Sequence, residues 1–481
     1  MNFFKKVAKV ANAAADIIDA LNAEPAMLAV LANDGERVDC TDNEGNNLLH
    51  IACRQKARGV VRAVLVLTGD LQLWKNRNHD FKLPGDLANE EIKSDLKVFQ
   101  DEHDCKVTGM DWQKNCALVK EKIDLEEVGN EKVLMSLDGG GMRGLVEIQM
   151  ILYIERQVGA PLVDLVDWVA GTSTGSILAI ALGQGRSVEW AHQLYIKMAA
   201  VAFTRNDQLV PRYNAKPLED TLKENIGKDS LAKLKTAKVL VTASRIDTLP
   251  PQLVLLRSYT PLVPSSVYMA EGFMAPEKTP AWTAARCSCA APTYFASYNG
   301  LADGAMCTNN PAAVLLADFN RVKKIERLHG VENDAVVHCM ISLGTGQEPK
   351  PKKEDLQGHC DVDLKSFSPV SIFDTIKKSS NLINMFVMQC ISSDGTAVEY
   401  AREWSHSLGA PYYRFTPPFD KKVALDETRS SVLLDAMWQA EVYVRTRVPQ
   451  QMNQLISLLK ALHEKRKERR SSRTNSLESV R

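Results

Sequence analysis

Ser136-Leu137-Asp138-Gly139-Gly140-Gly141-Met142-Arg143-Gly144, followed by Gly171-Thr172-Ser173-Thr174-Gly175, decides how this chain is read. The first stretch is a glycine run whose backbone N–H groups can converge on one point, because no side chain intervenes. Such a nest makes an oxyanion hole. The second stretch sets a serine between glycines directly after the apolar run Leu165-Val166-Asp167-Trp168-Val169-Ala170, which reads as a buried strand entering a sharp turn. Working outward, Val133-Leu134-Met135 is a second buried strand. Helical patterning follows each motif, over Leu145 to Gln157 and over Ile177 to Leu182. Two neighbouring parallel strands then deliver hole and hydroxyl to the same carboxyl edge of a sheet, where open α/β folds place their sites.

A nucleophilic serine needs a base. His329, His338, His359 and His406 follow it in the order used by Ser-acid-His enzymes, but none has a convincing context. His338 lies within Ala335-Val336-Val337-His338-Cys339-Met340-Ile341 and reads as a core histidine. Ala290-Ala291-Pro292-Thr293-Tyr294-Phe295, then Gly300-Leu301-Ala302-Asp303-Gly304-Ala305, fits better: Asp303 stands on a turn beside a permissive glycine. Asn310 and Pro311 read as the N-cap and first position of the next helix.

With these pieces the chain resembles the patatin-like lipid acyl hydrolases and, from about Lys132 to Leu462, the group VI calcium-independent phospholipases A2. The matching segments are Asp138 to Gly144, Asp167 to Gly175, Ala284 to Phe295, Ala302-Asp303-Gly304, Asn309-Asn310-Pro311, Ser342-Leu343-Gly344-Thr345-Gly346 and Leu433 to Tyr443. The resemblance implies a Ser-Asp dyad with Ser173 as nucleophile and Asp303 as base, an oxyanion hole of Gly139, Gly140 and Gly141, and Gly144, Gly171, Gly175 and Gly304 as supports of the motif turns. It also implies hydrolysis of glycerophospholipid acyl esters, with release of a fatty acid and a lysophospholipid. The chain departs from the family pattern at Ser176 and Ala305, where relatives usually carry glycine. Arg143 has two readings, a contact to a lipid phosphate or a pair with a neighbouring carboxylate.

In this scheme an unperturbed aspartate, with a pKa of about 3.9, is a feeble base near neutrality, so an apolar pocket is expected to raise it. Trp168, Tyr294 and Phe295 are candidates for the pocket wall, and each reads equally as core. A hole made of backbone requires no cation. No calcium-loop, Cys-x-x-Cys or His-Glu-x-x-His spacing is present, so no metal or cofactor is expected.

Composition sets the frame. The 481 residues exceed one typical domain, and 59 basic residues balance 59 acidic ones, so no nucleic-acid partner follows from charge. Ten scattered cysteines and no secretory opening point to a reducing, cytoplasmic compartment, and no apolar run reaches the roughly eighteen residues of a spanning helix. Membrane contact is therefore expected to be peripheral. Residues 1–25 read as an amphipathic helix, with Phe3 and Phe4 beside Lys5, Lys6 and Lys9. Residues 26–100 contain Asp42-Asn43-Glu44-Gly45-Asn46-Asn47-Leu48-Leu49-His50-Ile51-Ala52, which resembles an ankyrin opening, and a degenerate second copy over Asn78 to Ala88. Two such repeats do not make a solenoid, so they are expected to pack on the amino-terminal helix or the catalytic domain. Residues 101–130 read as a linker, helical from Trp112.

The expected architecture is α/β: a patatin-like three-layer α/β/α catalytic domain over 131–462 with a mainly parallel sheet, preceded by a small α-helical ankyrin-like region. Met452, Leu455, Ile456, Leu459 and Leu462 form a stripe that leads into Lys465-Arg466-Lys467-Glu468-Arg469-Arg470. This is either a calmodulin-type or lipid-surface element or a helix packed on its own domain. Residues 463–481 read as a basic disordered tail, in which Ser472 and Ser476 are kinase candidates. A homodimer is a further candidate partnership. Rival activities of the same dyad are lysophospholipase, acylglycerol lipase, thioesterase and transacylase. A rival of another class is an inactive lipid-binding scaffold.

Overall fold

The computed structural model describes residues 41–103, 105, 107–124, 129–206, 211–349 and 394–478, so the expected helix over 1–25 and His359 lie outside the described residues. The first elements are helices: α1 (Leu48–Arg54), α2 (Arg58–Leu67), α3 (Glu90–Gln100) and α4 (Met110–Asp124). Asn47 caps α1, its side chain accepting from the His50 N–H at 3.0 Å while His50 Nδ1 accepts from the Asn47 N–H at 3.3 Å. Helix α4 begins two residues before the predicted Trp112 start.

Seven strands build one sheet. They are β1 (Glu131–Leu137), β2 (Trp168–Thr172), β3 (Lys238–Arg245), β4 (Gln252–Arg257), β5 (Leu301–Asp303), β6 (Val336–Leu343) and β7 (Tyr412–Phe415). The order is β4-β3-β2-β1-β6-β7, with β5 paired to β3. The β1, β2, β3, β6 and β7 pairings are parallel, whereas β4 and β5 run antiparallel to β3. The fold is therefore α/β with a mixed, mostly parallel sheet.

Side chains alternate along each strand, and the two sets build two cores. Leu134, Trp168, Ala170, Leu240 and Met340 face one layer, which is filled by α10 (Ala312–Leu328) and α11 (Thr396–Ser407). Val133, Met135, Leu137, Val169, Val239, Val241 and Ile341 face the other. That layer holds α5 (Gly144–Val158), α6 (Thr174–Gly183), α7 (Val188–Val201), α8 (Ala215–Asn225), α9 (Ala281–Ser288) and α12 (Ser430–Val442). The amino-terminal helices join this core: Phe99 stacks on Trp438 at 5.9 Å, and Arg62 lies 4.8 Å over the same ring.

The last helix, α13 (Pro449–Glu478), decides between two readings of the carboxyl terminus and corrects a third. Met452, Leu455, Ile456, Leu459 and Leu462 are buried, packed on α4 and α5. The apolar stripe is thus packed on its own domain. The basic segment expected to be disordered continues the helix to Glu478, because its first arginine is anchored. Arg466 donates to the carbonyls of Leu165 and Glu131 and to the Asp167 carboxylate, the last at 2.7 Å.

Candidate active site

Strand β2 is buried throughout, and at its end the chain turns directly into α6. Ser173 takes φ 52° and ψ −123° at that turn, a strained conformation for a residue with a Cβ. The strain is held from both sides: the Ser173 N–H donates to Ser288 Oγ at 2.8 Å, and Ser176 Oγ donates to the Ser173 carbonyl at 2.6 Å. Gly175 lets α6 pass over β1, since a Cβ there would collide with the Leu137 and Asp138 carbonyls; Gly171 packs on Gly175 in turn. Ser173 occupies the N-cap of α6, so the positive end of the helix lies beside it.

The acid reaches the serine because β3 outlasts β2. Strand β2 stops pairing at Thr172, opposite Thr242, and β5 takes the vacated side of β3, with Asp303 opposite Ala243. Ser173 Oγ donates to Asp303 Oδ2 at 2.7 Å, and the Ala305 N–H donates to Oδ1 at 2.9 Å. Asp303 is only 2% exposed. Burial pushes its pKa up to about 7, against the downward pull of the bonds from Ser173 and Ala305. Gly304 lies against Thr242 and keeps this turn close to the sheet. The helix begins one residue later than predicted, with Pro311 at its N-cap, but the Asn310 side chain accepts from the Ala312 N–H at 2.9 Å and so holds the start of α10 behind the acid.

The glycine loop leaves β1 beside them. The Gly139 N–H is engaged by the Asn309 carbonyl at 3.3 Å, and the Gly139 carbonyl accepts from Asn309 Nδ2 and Thr345 Oγ1. Of the three predicted donors, Gly140 and Gly141 are the ones whose N–H groups have no partner among the described residues. Gly141 has φ +59° and lies against the Leu425 carbonyl, a position only glycine fills without strain. Gly144 opens α5 against Tyr195.

A buried ion pair stands beneath this loop. Arg414 on β7 donates to the Asp138 carboxylate at 2.6 Å and to Ser342 Oγ at 3.0 Å, while the Asp138 N–H donates to Glu147 Oε1 at 2.7 Å. Burial, with the Asp138 charge beside it, holds the Glu147 pKa well above the usual carboxylate range, and Arg414 pairs with Asp138 and, at 3.7 Å, with Asp394. The sequence reading missed Arg414. The signal was a charged residue within the apolar strand Tyr412-Tyr413-Arg414-Phe415, which foretells a buried partner.

Ser173, Asp303 and the glycines Gly139, Gly140 and Gly141 line one cavity of about 930 Å³, counted to its open mouth. The rest of its wall is almost wholly apolar and includes Met198, Phe203, Leu218, Tyr294, Phe295 and Leu425. One open reading is resolved by contact and one expectation is corrected. Arg143 is 3% exposed and pairs with Glu348 at 3.2 Å outside this wall, so of its two readings the carboxylate pair is the one realised. Trp168 starts β2 on the other face of the sheet, where it packs on Tyr259 and Phe319 at 4.5 and 5.2 Å.

No described histidine lines the cavity. His338 is buried in β6, its pKa pushed down to about 3, and His406 Nε2 meets Asn115 Oδ1 at 2.9 Å. Asp111, Glu403 and His406 bring three ligand-type atoms within 4.8 Å of one another, but Arg402 already pairs with Asp111 at 2.9 Å, and none of the three reaches the cavity.

Residues 135–316 match the family model described as patatin-like phospholipase. This stretch is a patatin-like phospholipase domain. Across 348 residues the chain is 32% identical to the intracellular phospholipase A2 of Caenorhabditis elegans, covering 70% of this chain and 30% of that protein. It is 33% identical over 321 residues to the 85/88 kDa calcium-independent phospholipase A2 of Rattus norvegicus, covering 65% of this chain and 38% of the other. Identity to the calcium-independent phospholipase A2-gamma of Oryctolagus cuniculus is 27% over 333 residues, 65% and 38% of the two chains. The chain thus spans about a third of the length of these relatives. The patatin-like domain holds both Ser173 and Asp303, while Arg414, Leu425 and α13 lie beyond its matched bounds.

Proposed function

We propose that this chain is a serine lipid acyl hydrolase that releases a fatty acid and a lysophospholipid from glycerophospholipids without calcium. One observation carries the reading: Ser173 Oγ donates at 2.7 Å to a buried carboxylate, inside an apolar cavity that is also lined by Gly140 and Gly141, whose N–H groups have no partner among the described residues. Asp303 takes the Ser173 proton as Oγ attacks the ester carbonyl. The Gly140 and Gly141 N–H groups and the positive end of α6 stabilise the oxyanion, while Gly139 is reserved for holding the loop. The protonated Asp303 then gives its proton to the departing lysolipid oxygen, and water, deprotonated by Asp303, releases the acid from the acyl-serine. The names of the three relatives support phospholipids as the substrate class.

The same reading makes the protein peripheral to a lipid surface in a reducing compartment. Every described cysteine is a free thiol, and no described helix is long and apolar enough to cross a membrane. The paired helices α1 and α2, opened by the Asp42 to Ala52 motif, support an ankyrin-type origin for this region. The test is fatty-acid and lysolipid release from phospholipid vesicles in excess chelator. The intact chain should yield both products, and Ser173→Ala and Asp303→Asn should each lose nearly all activity. Vesicle binding without release by all three proteins would leave a scaffold instead.

A further inference from the structure

We infer that the β3–β4 hairpin is the element that inserts this protein into a phospholipid surface, an inference that rests on the hydrolase reading above. The register fixes where the hairpin stands. Thr242 of β3 lies opposite Thr172, the residue before the nucleophile, and β3 runs on to Arg245 before the chain turns and returns in β4. Ile246 lies four residues beyond Thr242, so at roughly 3.3 Å per residue the turn begins about 13 Å beyond Thr172 and about 10 Å beyond the level of the serine, on the same carboxyl edge. The turn is tied to the acid loop. The Ile246 N–H donates to the Gly300 carbonyl at 3.3 Å, and Cys307 Sγ reaches the Pro251 carbonyl at 3.8 Å, next to Met306 on the cavity wall.

The chemistry of the tip is wrong for water. Leu249 is 96% exposed, Ile246 40% and Leu253 37%, and Pro250 beside them is exposed as well. Single exposed apolar residues are ordinary, whereas turns are built by preference from glycine, proline and small polar residues. Here three large apolar side chains share one projecting hairpin beside the mouth of an apolar cavity. A convex tip offers no groove to a peptide, but it fits the boundary between head groups and acyl chains. It would also set the mouth against the phase from which acyl chains must enter. Its charges, Arg245 and Asp247, lie 4.0 Å apart and cancel, so the attraction is apolar and insensitive to salt.

The experiment compares the full chain with the double variant Ile246→Ser/Leu249→Ser. Four readouts are taken: partition onto phosphatidylcholine vesicles at low and high salt, hydrolysis of those vesicles across lipid concentration, hydrolysis of a water-soluble short-chain ester, and the urea unfolding midpoint. Withdrawing two partly inserted apolar side chains should weaken partition roughly tenfold or more at both salt concentrations. Vesicle hydrolysis should fall with it and recover at high lipid, while soluble-ester hydrolysis and the unfolding midpoint stay unchanged. Unaltered partition overturns the inference. A lowered midpoint with unaltered partition overturns it too, and shows that the tip is covered by other residues of its own chain. If neither protein cleaves the soluble ester, the hydrolase reading fails separately, and partition still reports on the hairpin.

Discussion

Asp303→Asn should stabilise this protein while silencing it. Burial raises the Asp303 pKa from 3.8 to about 7, so the folded chain holds an ionised carboxylate there at a cost the unfolded chain does not bear. Three units at about 1.4 kcal/mol each come to about 4 kcal/mol. Between the two pKa values the folded state binds the proton and the unfolded state does not, so unfolding free energy falls as pH rises from about 4 to about 7, then levels off. Asparagine keeps the geometry: its oxygen can accept from Ala305, and its amide can donate to Ser173. The variant should therefore exceed the parent by about 4 kcal/mol at pH 8 and by about 2 near pH 5.5, and should match it near pH 4. Urea unfolding of both proteins across that range measures the difference. A variant less stable than the parent at pH 8, or a difference that does not change with pH, would falsify the claim that Asp303 is held ionised in a dry site.

The same pKa fixes the pH dependence of activity: turnover should rise as pH climbs through about 7, because only the ionised acid can take the serine proton. An acid limb near pH 4 would mean the carboxylate is solvated during turnover. Gly175→Ala should destabilise, although alanine ordinarily gains about 1 kcal/mol over glycine in a helix, because its Cβ would meet two backbone carbonyls; a raised melting point would refute that packing. Arg414→Leu should cost about 3–5 kcal/mol by leaving the Asp138 charge buried and unpaired, and a neutral outcome in urea titration would show that Asp138 is protonated instead.

Much of the site was legible because its motifs sit where strands end. The apolar runs before Asp138 and Ser173 mark adjacent strands, and the turn chemistry at Asp303 marks the acid, so three separated segments converge without any contact being known. Side-chain detail was less accessible. Trp168 is five residues before Ser173, an odd number, which turns it to the opposite face and about 16 Å down the strand. Arg143 and the Gly139 N–H found partners, Glu348 and Asn309, that are far away in sequence. The hole was visible as three glycines, but which donors stay free depends on those distant partners. The helical continuation past Leu462 was missed because its charges suggested solvent, whereas Arg466 finds two carbonyls and a carboxylate.

The short strand β5 has a consequence for how this molecule comes to life as it folds. Nucleophile and acid are 130 residues apart, and their meeting depends on three backbone pairings between β5 and the overhang of β3. A slip of one residue in those pairings would turn Asp303 to the opposite face and leave every helix in place. A nascent or refolding chain can thus acquire nearly all of its secondary structure while chemically mute. Recovery of activity would time the final settling of one three-residue segment, an event to which circular dichroism is almost blind.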